Sequence, residues 1–364
     1  MKYIIGIIML LSLLIAGCST ESTEFEVGVT FYPYFDITRA IVGDTGNVMS
    51  IVPPTTEPHS FSPSPRDIAR LQQLDVYVKT GVEFEAFENT LIQALPSNVV
   101  LIDASHGIDL ITGYVHDHDH GHDHGHSQEH SEHAHEEEHH HEDEHEHSEH
   151  AHENEHHEEH HEHNHEYSEH AHEEEHHHED EHHEEHHEHS HDMTGVDPHV
   201  WLSPRNAIQI AENIKDGLVS AREEYATIFE ENAAAFIQEL TLLDQEMQTA
   251  LASCEQNTIL VTHNAYQYLA RDYGFNTISI SGLSPESEPT PQQLVELVNK
   301  AEEYNIQYVF FEELVSPRVA QAIAQEIGAE TLTINPVAGS QADEGYLAIM
   351  RDNLNKLVQA LACQ

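Results

Sequence analysis

The sequence predicts an α/β protein of two lobes, each with a mostly parallel sheet flanked by helices, joined by one long rigid helix. Two observations carry this. Short apolar runs alternate with amphipathic helical stretches in two separate sets along the chain, the pattern of strand–helix–strand units. Between the sets runs a long helical repeat with no proline inside it.

In chain order, Lys2 and the apolar residues 4–15 read as a secretion signal, the run being too short for a permanent membrane span. It ends in Leu14-Ile15-Ala16-Gly17-Cys18, which resembles a bacterial lipobox, so residues 1–18 are expected to be a signal peptide cut before a lipid-bearing Cys18. Residues 19–24 read as a tether. The first lobe is assigned to residues 25–202, with strands at 25–30, 47–52, 75–80 and 98–102. Its helices are expected at 37–42 and 65–74, where Ile68, Leu71 and Leu74 share a face. Residues 203–253 form the inter-lobe helical segment. Ser203 and Pro204 suit the N-cap and first turn, and Tyr225, Ile228, Phe229, Phe236, Leu240, Leu243, Met247 and Leu251 recur at helical steps. A helix of about 30 residues spans roughly 45 Å. Two ordinary helices broken near Gly217 account only for the first part of this pattern. The second lobe, 254–364, has strands at 258–261, 276–281, 308–311 and 331–334, with helices at 265–273, 291–304, 316–327 and 345–361. Cys254 and Cys363 are an even pair that an oxidising compartment would join as a disulfide.

Composition is dominated by residues 116–191, which hold 33 of the 37 histidines and 29 of the 67 acidic residues, with no lysine or arginine. The tract opens with His116, His118, His120, His122, His124 and His126, and 131–145 recurs letter for letter at 168–182. Such a copy implies growth by duplication with little demand on any one position. Lacking apolar residues, the tract is expected to be a disordered surface loop of the first lobe and a low-affinity metal binder. Of the formal charge of −54, the rest of the chain keeps 38 acids against 13 bases. That balance repels nucleic acid and concentrates cations.

Only His59, His106, His199 and His263 lie outside the tract. His59 and His263 follow strand ends, where open α/β sheets bind ligands. His199 sits in a proline-stiffened loop before the helix at Pro204. Three histidines from separate segments suit tetrahedral zinc with one further position. His106 reads as a solvated turn.

Several segments then resemble the metal-binding receptors of ABC importers for zinc and manganese, the ZnuA-like solute-binding proteins also called cluster 9. They are FYPYFDITRAIVGD (31–44), VPPTTEPHSFSPSPRDI (52–68), DPHVWLSP (197–204), VTHNAYQYLARDYGF (261–275), SGLSPESEPTPQQL (281–294) and FFEELVSPRVAQAIAQEIGA (310–329). The resemblance covers essentially all of 25–364. It implies a lipid-anchored, extracytoplasmic, monomeric receptor that is not an enzyme. Such a receptor captures Zn²⁺ and delivers it to a membrane permease driven by a cytoplasmic ATPase. It also places His59, His199 and His263 on the family's first three ligand positions. Histidine at the third points to zinc over manganese, as ligand softness does. For the fourth position, where many relatives supply an acid near the segment matching 334–338, this chain has Pro336 and Ala338. The candidates are water first, then Glu57 or a tract histidine, then Asp343. Glu312 and Glu313 are placed to line the cleft, and Tyr32, Tyr34 and Trp201 to shield it. The competing readings are a manganese or iron receptor of the same family, a metal-buffering or adhesive surface lipoprotein, and a zinc hydrolase. The last lacks a positioned general base of the His-Glu-x-x-His type outside the tract.

Overall fold

The computed structural model describes residues 25–112 and 195–364, apart from 83, 284–288 and 340–343. The signal segment with Cys18, the histidine tract and Asp343 lie outside the described residues.

Two four-stranded parallel sheets are built on the same plan. In the first, β1 (Phe25–Val29), β2 (Gly46–Ser50), β3 (Val76–Lys79) and β4 (Val100–Asp103) lie in the order β2-β1-β3-β4. In the second, β5 (Thr258–Val261), β6 (Asn276–Ser279), β7 (Tyr308–Phe311) and β8 (Glu330–Thr333) lie in the order β6-β5-β7-β8. Central strands are mostly apolar, as sheets covered on both faces require, with Glu26 and Lys79 the charged members; Val27, Val29, Val76, Val78, Leu260 and Val261 are fully buried. In each sheet the chain order reverses beside the first strand, which opens a crevice at the carboxyl ends of β1 and β3 and of β5 and β7.

Helices α1 (Tyr32–Val42), α2 (Pro65–Leu71) and α3 (Ala86–Gln93) serve the first sheet. The second is served by α6 (Gln267–Tyr273), α7 (Pro291–Glu303), α8 (Arg318–Ile327) and α9 (Tyr346–Ala360). Local chemistry explains several starts. Ser64 and Asp67 form a reciprocal capping box on α2, as Thr290 and Gln293 do on α7, each with proline in the first turn.

The helical segment between the lobes is not one helix. It comprises α4 (Pro204–Ala221) and α5 (Ala226–Ala250), folded back on each other so that Arg205 Nε lies 2.9 Å from Asp244 near the far end of α5. The break falls at Arg222, whose φ of −143° and ψ of 73° leave the helical region. Its guanidinium is held out of line by Asp75 at 2.9 Å and by the face of Phe25. Gly217 does not break the helix. A Cβ there would lie 2.5 Å from the Ile102 side chain, so glycine at 217 allows α4 to lie close against β4. The 25-residue α5 is the long helix, roughly 37 Å at 1.5 Å per residue. It packs on α1 of the first lobe and α9 of the second. Among the described residues no helix is long and apolar enough to cross a membrane.

The larger of two apolar cores runs through both lobes, from Phe25, Val27 and Ile37 through Trp201, Phe229 and Leu240 to Tyr266 and Leu357, and the smaller, with Leu260, Leu297 and Val309, lies in the second lobe. Polar bonds cross the same boundary: Trp201 Nε1 donates to Pro336 O at 2.7 Å, Tyr346 Oη to Trp201 O at 2.6 Å, and Tyr346 N to Asp36 Oδ2 at 2.8 Å. Cys254 and Cys363 are bonded to each other, joining the end of the α5 segment to the residues after α9.

Candidate metal centre

Three histidines from distant parts of the chain meet between the lobes. His59 sits in a single 3₁₀ turn, Pro58–Ser60, begun by Glu57, whose Oε1 accepts from His59 N at 3.2 Å. His199 leads into the 3₁₀ turn Val200–Leu202 just before α4. His263 follows β5 directly, at the reversal point of the second sheet. His199 Nε2 lies 3.3 Å from His59 Nε2 and 3.3 Å from His263 Nε2, so all three rings present the same nitrogen to one point. For metal–nitrogen bonds of 2.0–2.1 Å, the edge of a tetrahedron is roughly 3.3–3.4 Å. Both separations match that edge. His106 is exposed and lies outside the cluster.

Each ring has a carboxylate behind it on the Nδ1 side. Glu85 Oε1 is 2.8 Å from His59 Nδ1, and Asp197 Oδ1 is 2.7 Å from His199 Nδ1. Glu312 Oε1 approaches His263 Nδ1 to 2.5 Å, an ion-pair contact rather than an aligned hydrogen bond. A carboxylate on Nδ1 fixes the tautomer that leaves Nε2 free to bind metal, and it raises the basicity of that nitrogen. Three imidazoles backed by three acids suit a divalent cation.

Burial shapes the electrostatics. It holds His199 well below its ordinary protonation range, helped by the neighbouring His263 and His59, so that ring is ready as a neutral ligand. The same burial pushes the Asp197 carboxyl up to about 7, against the backbone bond from His199. At His263 burial is again the largest influence and lowers the pKa, but the Glu312 charge and contact outweigh it with help from Glu57 and Asp197, leaving the ring raised. Glu57 is raised by burial, which outweighs His59.

Glu57 is not one of the converging donors. It borders a cavity of about 10 Å³ with Glu312, Glu313, Asn335, Pro336 and Gly339, which is room for about one water. Neither Pro336 nor Ala338 offers a donor side chain, and Asn335 Oδ1 is spent on Val337 N at 2.8 Å. The shielding aromatics are Trp201, 5.3 Å from the His199 ring, and Phe84, 4.9 Å from the His59 ring. Phe31 lies flat on Phe84 at 4.7 Å and edge-on to Trp201 at 4.8 Å. Tyr34 packs behind Trp201, and Tyr32 packs on Phe35, farther out.

Sequence reasoning passed over Glu85, Asp197 and Phe84. Asp197 was legible in principle, since an acid two residues before a candidate ligand can reach its backbone and ring. Glu85 was not, because it meets His59 across 26 residues and its neighbours Glu83 and Glu88 look alike. The structure sets Glu85 and Glu88 apart. Glu88 is buried and accepts from Thr80 N at 2.8 Å and from the Thr30 and Thr80 hydroxyls, which holds the first turn of α3 on the ends of β1 and β3. Glu85, at the N-cap of that helix, makes no capping bond and reaches His59 instead. Glu85→Gln is therefore expected to lower tight metal affinity about tenfold, the usual scale for such partners, while leaving thermal stability nearly unchanged. Chelator competition and a melting curve read the two effects; an unchanged affinity would discard the role.

Comparison with known proteins places the fold. The family model described as "Zinc-uptake complex component A periplasmic", ZnuA, matches residues 27–360. The chain is similar to the zinc-binding protein AdcA of Streptococcus pyogenes serotype M3, 32% identical over 368 residues, covering 98% of this chain and 61% of that protein. It thus spans under two thirds of the length of that relative. It is also similar to the high-affinity zinc uptake system protein ZnuA of Bacillus subtilis, 31% identical over 364 residues, covering 96% of this chain and 94% of the other. Among solved structures, the Zn(II)-bound ZnuA-like domain of Streptococcus pneumoniae AdcA superposes with a TM-score of 0.64 at 27% identity, covering 93% of this chain and 99% of that domain. With its two parallel-sheet lobes and a family match over nearly the whole described body, this chain belongs to the ZnuA family of zinc-uptake components.

Proposed function

We propose that the protein is the extracytoplasmic receptor of a zinc ABC importer, a monomer held to the membrane by lipid on Cys18. It binds one Zn²⁺ between lobes 25–202 and 254–364, with 203–253 between them, and delivers the ion to a permease powered by a cytoplasmic ATPase. The observation that carries this reading is the convergence of three Nε2 atoms, two of the separations at the tetrahedral edge, with each ring backed by a carboxylate. His59, His199 and His263 are the ligands. Water takes the fourth position beside Glu57, in keeping with the one-water cavity there. Soft imidazole donors favour zinc over manganese. The role is binding and release without covalent chemistry.

The tract 116–191 serves as an antenna and buffer, collecting cations weakly through its imidazoles and acids. A chain lacking 116–191 should keep one tight zinc and lose the weak ones in a titration against a competing chelator. In that shortened chain, His59→Ala/His199→Ala/His263→Ala should abolish the tight site. Tight binding that survives the triple substitution refutes the site, and loss of tight binding on tract deletion alone refutes the accessory role.

A further inference from the structure

The two ends of segment 113–194, the two lobes and the back of the metal centre meet at one side chain. Tyr268, on α6 of the second lobe, is fully buried. Its hydroxyl donates to Asp197 O at 2.7 Å and accepts from Ile111 N at 3.1 Å. Asp197 N in turn donates to Ile111 O at 2.9 Å, so the residues before and after the segment are tied to each other as well as to Tyr268. Arg271, nearly one turn further along α6, lies over the Tyr268 ring at 5.1 Å and donates to Asp109 O at 3.1 Å. The collar reaches the metal centre through Asp197, whose Oδ1 accepts from His199 N at 3.0 Å and holds His199 Nδ1 at 2.7 Å.

We propose that Tyr268 is a positioning residue of the metal centre. Its hydroxyl fixes the Asp197 backbone, and through the Asp197 carboxylate the orientation of His199, against whatever happens in segment 113–194. The segment between residues 112 and 195 carries 29 acidic side chains, whose mutual repulsion depends on how many cations they have collected. With both ends clamped to a helix of the other lobe, His199 two residues on keeps one geometry. An amphipathic phenol suits this position. Its ring is packed in the core, and its oxygen pairs with two backbone groups, the buried Asp197 carbonyl and the Ile111 amide.

The inference rests on zinc binding at the three histidines. The test uses the full-length chain, with a chelator tight enough to strip the weak tract sites so that only the tight site is read. Tyr268→Phe keeps the ring beneath Arg271 and removes the hydroxyl. It is expected to weaken tight zinc binding about tenfold, the scale of an outer partner. In an Asp197→Ala background, the same substitution is expected to change affinity by less than about twofold, because the route to His199 is already cut. A purely structural role predicts an equal loss in both backgrounds. That result, or an affinity within about twofold of the parent, overturns the proposal. Should the phenylalanine chain not fold, Ile111→Pro removes the amide that donates to the hydroxyl and carries the same two-background comparison. If the parent chain holds no tight zinc, the receptor reading falls and this inference with it. If the parent binds and Tyr268→Phe binds equally well, only this inference falls.

Discussion

His199→Ala is expected to weaken tight zinc binding by roughly a thousandfold or more, about 4 kcal/mol at 1.4 kcal/mol per decade. Loss of an outer partner costs about 10–100-fold, and loss of a direct ligand must exceed that. His199 is also the hub of the cluster, since its Nε2 is the atom that stands 3.3 Å from both of the others. Alanine leaves two donors that no longer define a face of a tetrahedron. It also strands the fully buried Asp197 carboxyl, whose Oδ2 already has no partner among the described residues. A buried acid without its imidazole takes up a proton, so the site loses a ligand and a counter-charge together. Titration of the chain lacking 116–191, in competition with a chelator, gives the number directly. A loss smaller than that of Glu85→Gln would mean that His199 does not touch the ion.

Lowering the pH from about 7.5 to about 6.0 is expected to weaken the tight site about a hundredfold, because zinc must displace any proton on its ligands. His263 carries a pKa raised above the ordinary 6.5, because the Glu312 contact outweighs burial. Its proton therefore begins to compete before that of an ordinary histidine would. Asp197, pushed up to about 7, adds a second proton, since the neutral acid is a poor acceptor for the Nδ1–H that a metal-bound His199 presents. His199 itself, held well below the usual range, adds nothing in this window. The sign is therefore loss of affinity as pH falls, at about one decade per unit for each competing proton below its pKa. The two groups act on each other's charge and titrate as a coupled set. Affinities measured from about pH 6 to 8, corrected for protonation of the chelator, check the slope. A flat profile would contradict the arrangement, and Glu312→Gln should move the fall to lower pH.

Much of this was legible in the chain because its signals are local. Parallel strands buried on both faces are apolar runs, and the eight appear at the expected places. The three converging histidines stood out because nearly all the other histidines are gathered in one tract, leaving few to consider. What could not be read depends on contacts between distant residues. Helix α3 was missed because it is short and one of its buried positions is the acid Glu88, which finds its donors at the ends of two strands, one of them far back in the chain. Helix α1 begins five residues before the expected 37, since Tyr32, Pro33 and Tyr34 look like a turn until they are seen packed in the core. The break at Arg222 has no glycine or proline to announce it. It is set by Asp75 and Phe25, well over a hundred residues earlier.

The bond between Cys254 and Cys363 changes what a single backbone cut does to the second lobe. It encloses nearly the whole second lobe, including His263, Glu312 and the 335–339 segment, in one covalent ring. A protease that cuts an exposed loop of that lobe opens the ring without releasing a fragment. The two pieces stay joined at the end of the long helix, held by the same apolar core, so a single nick leaves the second lobe attached.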